Sequence, residues 1–217
     1  MILRSSEAHH DEHLDQLLFV LLTPRRSINL ETSGRYHAPA EPATVTSIPI
    51  HEMIIRQYAA ADFSRILAII NDASQAYRGV IPADRWHDPY MSSDELAKEI
   101  ADGVNFWVAE QDGRVEGVMG IQDRGDVALV RHAYVVSAAQ GSGIGTRLIR
   151  HVETLVKKPI LIGTWAAATW AIRFYERNGY INLPGDEKNR LLRKYWSIPE
   201  RQVETSVVLA RGEVVLP

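Results

Sequence analysis

The feature that most constrains the fold is a glycine-rich turn at residues 140–146, Gln-Gly-Ser-Gly-Ile-Gly-Thr, which separates a β-like run from a helical one. The run before it ends in Ala-Tyr-Val-Val (133–136), and the run after it has the apolar spacing of an amphipathic helix. Backbone N–H groups at a helix start attract anions, because the positive end of the helix dipole lies there. Glycines remove the Cβ atoms that would keep a bulky phosphate away. The turn therefore predicts a site at which main-chain donors hold a phosphate or diphosphate.

The spacing of the glycines narrows the choice of ligand. The phosphate loop of nucleotide hydrolases requires Gly-Lys followed by Ser or Thr, and the turn contains no lysine. The dinucleotide fingerprint requires G-x-G-x-x-G with an acidic residue about 20 positions later, whereas these glycines run G-x-G-x-G without one. The turn does satisfy Gln/Arg-x-x-Gly-x-Gly/Ala, at Gln140, Gly143 and Gly145. Taken alone, this motif could also be a helix start whose glycines serve only the tight turn.

A second motif lies at residues 171–180, Ala-Ile-Arg-Phe-Tyr-Glu-Arg-Asn-Gly-Tyr, after a strand-like apolar run. It satisfies the pattern Ala-x-x-x-Tyr-x-x-x-Gly-Phe/Tyr at Ala171, Tyr175, Gly179 and Tyr180. Two such motifs, in this order and separated by one strand, resemble the signatures of the GNAT superfamily of acyl-CoA N-acyltransferases. The resemblance covers about residues 53 to 211.

Periodicity and turn signals predict the elements around these motifs. Strands are predicted at 53–58, 105–110, 114–122, 127–136, 159–165 and 202–210, and helices at 60–77, 93–100, 147–156, 166–180 and 186–195. This order gives one mixed α/β domain. The resemblance implies a mixed central sheet flanked by helices, with two central strands splayed apart. We expect this domain at 53–217, after a largely irregular extension at 1–52 with a short helix near 8–22.

Composition argues against several partners and sites. A formal net charge of −3 disfavours a nucleic-acid partner, because such proteins need a basic face. The absence of cysteine excludes disulfides, thiolate metal sites and a cysteine nucleophile. The early apolar run at 17–22 is too short to span a membrane, so we expect a soluble cytoplasmic protein. His9, His10 and His13 could share a helix face, but no fixed partner lies near them, and we expect a solvated segment and no metal site.

The resemblance implies that acetyl-CoA is the acyl donor and that main-chain groups hold it. Its pantetheine arm would add to the free edge of the strand at 133–135, and its diphosphate would bind the amides of 141–146. An N–H near residue 135 or 136 would polarise the thioester carbonyl. The residues assigned to cofactor binding are Ala133, Tyr134, Val135, Val136, Gln140, Gly141, Ser142, Gly143, Ile144, Gly145 and Thr146.

Tyr175 matches the general acid that the family uses to protonate the departing thiolate, since a phenol on a rigid helix can donate one proton to the sulfur. The alternative is a buried aromatic residue whose hydroxyl has some structural partner. Other family positions differ in this chain. The asparagine that many relatives carry seven residues before the tyrosine is Ala168, and the glutamate base of some protein-modifying members falls on Gly163.

No carboxylate occupies the other usual base positions either, because the chain has Leu129 and Arg131 there. We therefore assign the general base to His132, whose ordinary pKa suits removal of a proton from an ammonium near neutral pH. Asp123 and Asp126 are weaker candidates, and a relay through water is the competing route. Regular strand alternation would place His132 on the same face as Val130 and Tyr134.

The function expected from the resemblance is transfer of an acetyl group from acetyl-CoA to a primary amine, by direct attack in a ternary complex. A small-molecule acceptor comes first, and a protein N-terminus or lysine second. The aromatic segments at 77–90 and 191–200 supply candidate pocket walls, or simply covers for the sheet: Trp86, Tyr90, Tyr195 and Trp196. Two alternatives remain open, a non-catalytic acyl-CoA sensor and, more remotely, a nucleotide-dependent dehydrogenase, and a homodimer is compatible with all of them.

Overall fold

The computed structural model describes residues 53–213, which form one mixed sheet with helices on both faces. The strands are β1 (Met53–Gln57), β2 (Asn105–Gln111), β3 (Arg114–Asp123), β4 (Ala128–Val135), β5 (Ile160–Trp165), β6 (Ile181–Asn182) and β7 (Ser206–Arg211). The helices are α1 (Phe63–Ser74), α2 (Ser93–Ala101), α3 (Ile144–Thr154), α4 (Thr169–Arg177), α5 (Gly185–Tyr195) and α6 (Glu200–Glu204). The sheet order is β1-β2-β3-β4-β5-β7-β6.

Local signals explain where several elements start and stop. At α2 the Ser92 hydroxyl accepts a hydrogen bond from the Glu95 N–H (3.2 Å), and the Glu95 carboxylate accepts one from the Ser92 N–H (2.7 Å), which is a capping box. The β2–β3 hairpin turns at Asp112 and Gly113, both with positive φ. Gly179, with φ of 87°, ends α4. The predicted start of the helix at 93 and the two predicted strands of the hairpin are confirmed, whereas α4 is shorter than the helix predicted at 166–180.

The two faces of the sheet carry separate clusters of buried side chains. Helices α1 and α2 supply Ile66 and Leu96 to one cluster, and α3 supplies Leu148 to the other. Helix α4 contributes to both, because Ala171 belongs to the first cluster and Phe174 to the second. Helix α4 therefore packs against side chains on both sides of the sheet.

The central strands β4 and β5 are splayed, as the resemblance implies. They pair in parallel only at their first residues, where Ala128 and Leu129 face Ile160 and Leu161. Strand β4 then continues along β3 to Val135, whereas β5 continues along β7. Within residues 53–213, no strand pairs with the β5-facing edge of β4 beyond Leu129. The expected fold is thus confirmed, including its gap.

The end of the chain differs from the prediction. The strand expected from residue 202 begins only at Ser206, because Pro199 caps a short helix, α6, in which Gln202 and Val203 are buried. The two-residue strand β6 also lies between α4 and α5, where no strand residues are predicted. The predicted extension, its helix near 8–22 and its three histidines lie outside the described residues.

Candidate functional site

The glycine turn presents a row of main-chain N–H groups at the start of α3. Gly141 and Gly143 have φ of 79° and 88°, a backbone conformation that residues other than glycine rarely adopt. The first helical bond runs from the Arg147 N–H to the Gly143 carbonyl. Within the described part of the chain, no oxygen accepts a hydrogen bond from the backbone N–H groups of residues 141–146. Six adjacent donors at a helix N-terminus can bind an anion such as a diphosphate.

A glycine in β3 brings this turn close to the sheet. A Cβ at Gly117 would lie 2.7 Å from Cγ2 of Ile144 and 3.1 Å from Cδ1 of Leu148. Only glycine therefore lets the first turn of α3 pack directly on β3. Gly117 is not among the residues predicted for the site, although a glycine within a predicted strand is a recognised signal of close approach.

At the end of β4, the main-chain N–H and carbonyl of Val135 face the gap between β4 and β5. The Val136 N–H donates to the Glu116 carbonyl (2.9 Å), so this amide is used within the sheet. Because main-chain groups alternate along a strand, the neighbouring Val135 N–H points away from β3, towards β5. The Gln140 side chain donates to the Val135 carbonyl at 3.3 Å. Of the two amides considered for the thioester carbonyl, Val135 is the one directed into the gap.

Strand β4 contains a bulge at His132. Arg131 pairs with Gly120 and Tyr134 with Val118, so two residues of β4 oppose the single Met119. His132 itself has φ of 50°, which is strained for a residue with a Cβ. The predicted alternation is therefore wrong here: Val130 belongs to the α3-side cluster, while Tyr134 belongs to the cluster beneath α1 and α2. The bulge interrupts the two-residue repeat and turns both Arg131 and His132 towards α2.

An ion cluster, which we call the β4 clasp, holds this bulge and consists of Glu99, Gln122, Arg131 and His132. Arg131 donates to the Glu99 carboxylate (2.7 Å) and to the Gln122 side-chain oxygen (3.0 Å). The Nε2 atom of His132 lies 3.2 Å from the other Glu99 oxygen. Burial by itself would raise the pKa of Glu99, but interactions with His132 and then Arg131 lower it to about 2. The carboxylate therefore stays charged at all ordinary pH values.

Tyr175 is fully buried in α4 and carries a hydroxyl group without a hydrogen-bond partner among the described residues. Its ring packs edge-on against Phe174 and Tyr180, with centroids 5.1 and 5.8 Å away. Burial, and to a smaller extent Tyr180, raises the pKa of Tyr175 well above its ordinary value, so the group keeps its proton. A buried donor without an acceptor is costly in a folded protein and fits a ligand acceptor.

Aromatic side chains from the α1–α2 connection and α4 pack together in the cluster beneath α1 and α2. Tyr77 stacks on Tyr90 and packs against Trp170, with centroids 6.1 and 5.6 Å away. Tyr90 also interacts with the Trp165 indole and with the Tyr134 hydroxyl. Burial raises the pKa of Tyr134 most, and electrostatic interactions with other tyrosines, including Tyr175 of the opposite cluster, raise it further.

Some candidate residues lie at the other end of β4. Asp123 and Asp126 precede the strand, where Lys158 and Lys194 bind their carboxylates. The Tyr195 hydroxyl donates to Asp126 (2.7 Å), so this tyrosine covers the start of β4 rather than the glycine turn. Trp86 and Tyr90 do pack together, with centroids 5.5 Å apart.

Between residues 53 and 213 no helix has both the length and the apolar character that crossing a membrane requires. The same residues contain no group of three or more histidine or acidic side chains arranged to hold a metal ion.

Comparisons with known proteins agree with this geometry. The profile of the Acetyltransferase (GNAT) domain family matches residues 70–191. The PaiA N-acetyltransferase of Thermoplasma acidophilum, solved in complex with coenzyme A, has a similar fold, with TM-score 0.57 and 16% identity over 75% of this chain and 99% of that one. A GNAT-family acetyltransferase from Staphylococcus aureus Mu50 is similar, with TM-score 0.56 and 15% identity over 74% and 98% of the two chains. No curated protein matches the sequence.

Proposed function

Because the chain belongs to the acetyltransferase (GNAT) family, we propose that it transfers the acetyl group of acetyl-CoA to the primary amine of a small-molecule acceptor. The observation that carries this proposal is the row of free amides at 141–146, next to the unpaired edge of β4. Val135, Ile144 and Tyr175 belong to one buried cluster, so the turn, the edge and the candidate acid lie on the same side of the sheet. A cytoplasmic location is part of the proposal, and cell fractionation tests it.

In this proposal, main-chain groups form the binding site for acetyl-CoA. The amides of 141–146 would hold the diphosphate, and the Val135 N–H would donate to the thioester carbonyl as negative charge develops on its oxygen. The relative from Thermoplasma acidophilum was solved with coenzyme A, which supports the same ligand here. Glycine at 141 and 143 leaves the approach to the amides free of side chains.

Tyr175 would act as the general acid. The acceptor nitrogen attacks the carbonyl carbon, the new C–N bond forms, and the C–S bond breaks as the sulfur takes the phenolic proton. Burial raises the pKa of Tyr175 because it disfavours the phenolate. Burial would raise the pKa of the CoA thiol for the same reason, so the two groups shift in the same direction. A proton from solvent then restores the phenol of Tyr175. The enzyme itself forms no covalent bond in this scheme, in keeping with the absence of cysteine.

The amine must also lose a proton, and His132 is our candidate for the base. Its contact with Glu99 resembles the histidine–carboxylate pairs that orient and stabilise an imidazolium. Removal through water is the competing route. A His132→Gln variant separates them: if His132 is the base, kcat falls by about 100-fold or more, whereas a water route leaves kcat near the wild-type value.

The proposal is tested by thiol release from acetyl-CoA across a panel of primary amines, comparing the wild type with Tyr175→Phe. Because the chain has no cysteine, a thiol reagent detects only released CoA. Loss of a general acid lowers kcat by about 100-fold or more. CoA affinity and stability should stay unchanged, since the Tyr175 hydroxyl has no partner to lose among the described residues.

Tyr180→Phe is the matched control, because its ring contacts Tyr175 and the variant also removes a single phenolic oxygen. It should keep most of its turnover. CoA binding without turnover on any amine would contradict the proposed activity and favour a sensor.

A further inference from the structure

A cleft of about 340 Å³ opens at the end of β5, outside the residues already assigned to acetyl-CoA. One wall is Val80, Ile81 and Pro82, from the connection between α1 and α2. The other wall is Trp165 with the two alanines that follow it, and Thr205 closes one end. None of these seven lining residues carries a charge.

Several polar groups at this cleft already have partners inside the protein. The Thr205 hydroxyl donates to the Arg201 carbonyl at 2.8 Å, and the Ala166 N–H donates to the Thr205 carbonyl at 2.9 Å. The Trp165 indole interacts with Tyr90. A carboxylate or ammonium held between these walls would lose part of its hydration without gaining a counter-charge, which is unfavourable. The cleft therefore favours an uncharged, apolar group.

Trp165 connects the cleft to the reacting end of the site. It is the last residue of β5, the strand that borders the gap beside β4. Its indole interacts with Tyr90, which also interacts with Tyr134 of β4, the strand on the other side of the gap. An amine whose body occupied the cleft would thus reach the gap from the side opposite α3.

From these observations we infer that the acceptor is a monoamine with an uncharged alkyl or aryl body, held between Ile81 and Trp165. Free amino acids and polyamines are then poor acceptors, because a second charged group has no partner in the cleft. This inference rests on the proposed function and adds the acceptor class to it. A volume of about 340 Å³ is within the usual range for small-molecule sites and holds an arylethyl group with room to spare.

The test compares acceptors that differ by one charged group. Phenethylamine and phenylalanine differ only in the carboxylate, and hexylamine and 1,6-diaminohexane differ only in the second amine. We expect kcat/KM to be at least about tenfold higher for the first member of each pair, since burying one unpaired charge costs more than 1.4 kcal/mol. Equal rates, or faster turnover of phenylalanine and the diamine, would overturn the inference and leave the acetyltransferase activity standing.

A substitution in the cleft gives an independent readout. Ala167 is exposed, so Ala167→Leu fills the cleft with little risk to folding. It should raise KM for phenethylamine about tenfold by overpacking, while KM for acetyl-CoA stays constant. Ala60→Leu, at an exposed alanine beside β1, is the matched control and should change neither KM. An Ala167→Leu enzyme with unaltered phenethylamine kinetics would contradict the assignment of the cleft.

The two proposals fail in different ways. If only amines with a second charged group are acetylated, the proposed acceptor class is wrong but the acetyltransferase activity stands. If no amine is acetylated, the proposed function is contradicted as well.

Discussion

The glycine turn and the β4 clasp adjoin the same strand but hold it with different kinds of atoms. In the turn, backbone N–H groups face outward, and their positions depend on positive φ at Gly141 and Gly143. In the clasp, the Glu99 carboxylate meets the side chains of Arg131 and His132 in a buried cluster around a strained backbone. The amides of the turn have no partner among the described residues, whereas the side chains of the clasp contact one another.

This difference separates binding from positioning. Main-chain recognition is insensitive to which side chains surround it, but it is sensitive to any atom that moves the backbone or fills the approach. A buried ion cluster behaves in the opposite way, because removal of one charge leaves the others unpaired. Variants in the turn should therefore affect cofactor affinity, and variants in the clasp should affect stability first.

The largest effect is expected from Glu99→Gln. Arg131 is 2% exposed and would keep a charge without its carboxylate, which costs about 3 kcal/mol of unfolding free energy. Urea denaturation followed by circular dichroism measures it. Asp102→Asn is the control on the same helix, because its partner Lys98 is half exposed and such pairs contribute at most about 1 kcal/mol. Equal losses in the two variants would show that the clasp does not stabilise β4.

Gly117→Ala tests the packing that joins the turn to the sheet. The new methyl group would meet Ile144 at 2.7 Å, so the start of α3 must shift, at a cost of about 2 kcal/mol. The acetyl-CoA KM should rise as well, because the amides move with the helix. Gly185→Ala adds a methyl group in open space and should leave both quantities unchanged. Normal stability and KM in Gly117→Ala would contradict the close approach.

Gly143→Ala addresses the amide row itself. Alanine at φ of 88° is strained, and the amides move away from their binding geometry, so CoA affinity should fall about tenfold, or 1.4 kcal/mol. Calorimetry with CoA measures the change. Gly125→Ala has a similar φ of 81° at the opposite end of β4, and it should lose comparable stability without losing CoA affinity. If both variants lost CoA affinity to the same extent, the turn would not be the part of the protein that binds CoA.

A smaller effect is expected from mild acid. The pKa of Glu99 is lowered from 4.5 to about 2, so its contribution to stability is present above pH 4.5 and declines as pH falls towards 2. The wild type should therefore lose more unfolding free energy than Glu99→Gln between pH 5 and 3.5. Urea midpoints at the two pH values give the comparison. The same loss in both proteins would mean that other carboxylates dominate the acid sensitivity.

Much of the turn could be predicted from the sequence because its signals are local. The glycines, the strand before them and the helix after them lie within one short segment, and α4 with Tyr175 follows its own periodicity. The clasp could not be predicted in this way. Whether β4 bulges at His132 depends on Glu99, more than 30 positions away, and on the partner strand β3. Pattern analysis assumes regular alternation and cannot register such a contact.

The start of β7 was misplaced for a related reason. Residues 202–210 alternate like a strand, but Pro199 favours a helix start and tertiary packing buries Gln202 in α6. The apolar cleft also joins residues distant in sequence, Ile81, Trp165 and Thr205, so only the fold could bring them together.

The central claim, that main-chain amides of the glycine turn hold the cofactor, is tested most directly by amide NMR. A ¹⁵N-labelled protein is titrated with CoA and, as a comparison, with pantetheine, which lacks the diphosphate. We predict downfield proton shifts for the amides of 141–146 with CoA but not with pantetheine, and a shift of the Val135 amide with both. A folded protein whose 141–146 amides do not move at saturating CoA, or that shows no CoA binding at millimolar ligand, would contradict the account.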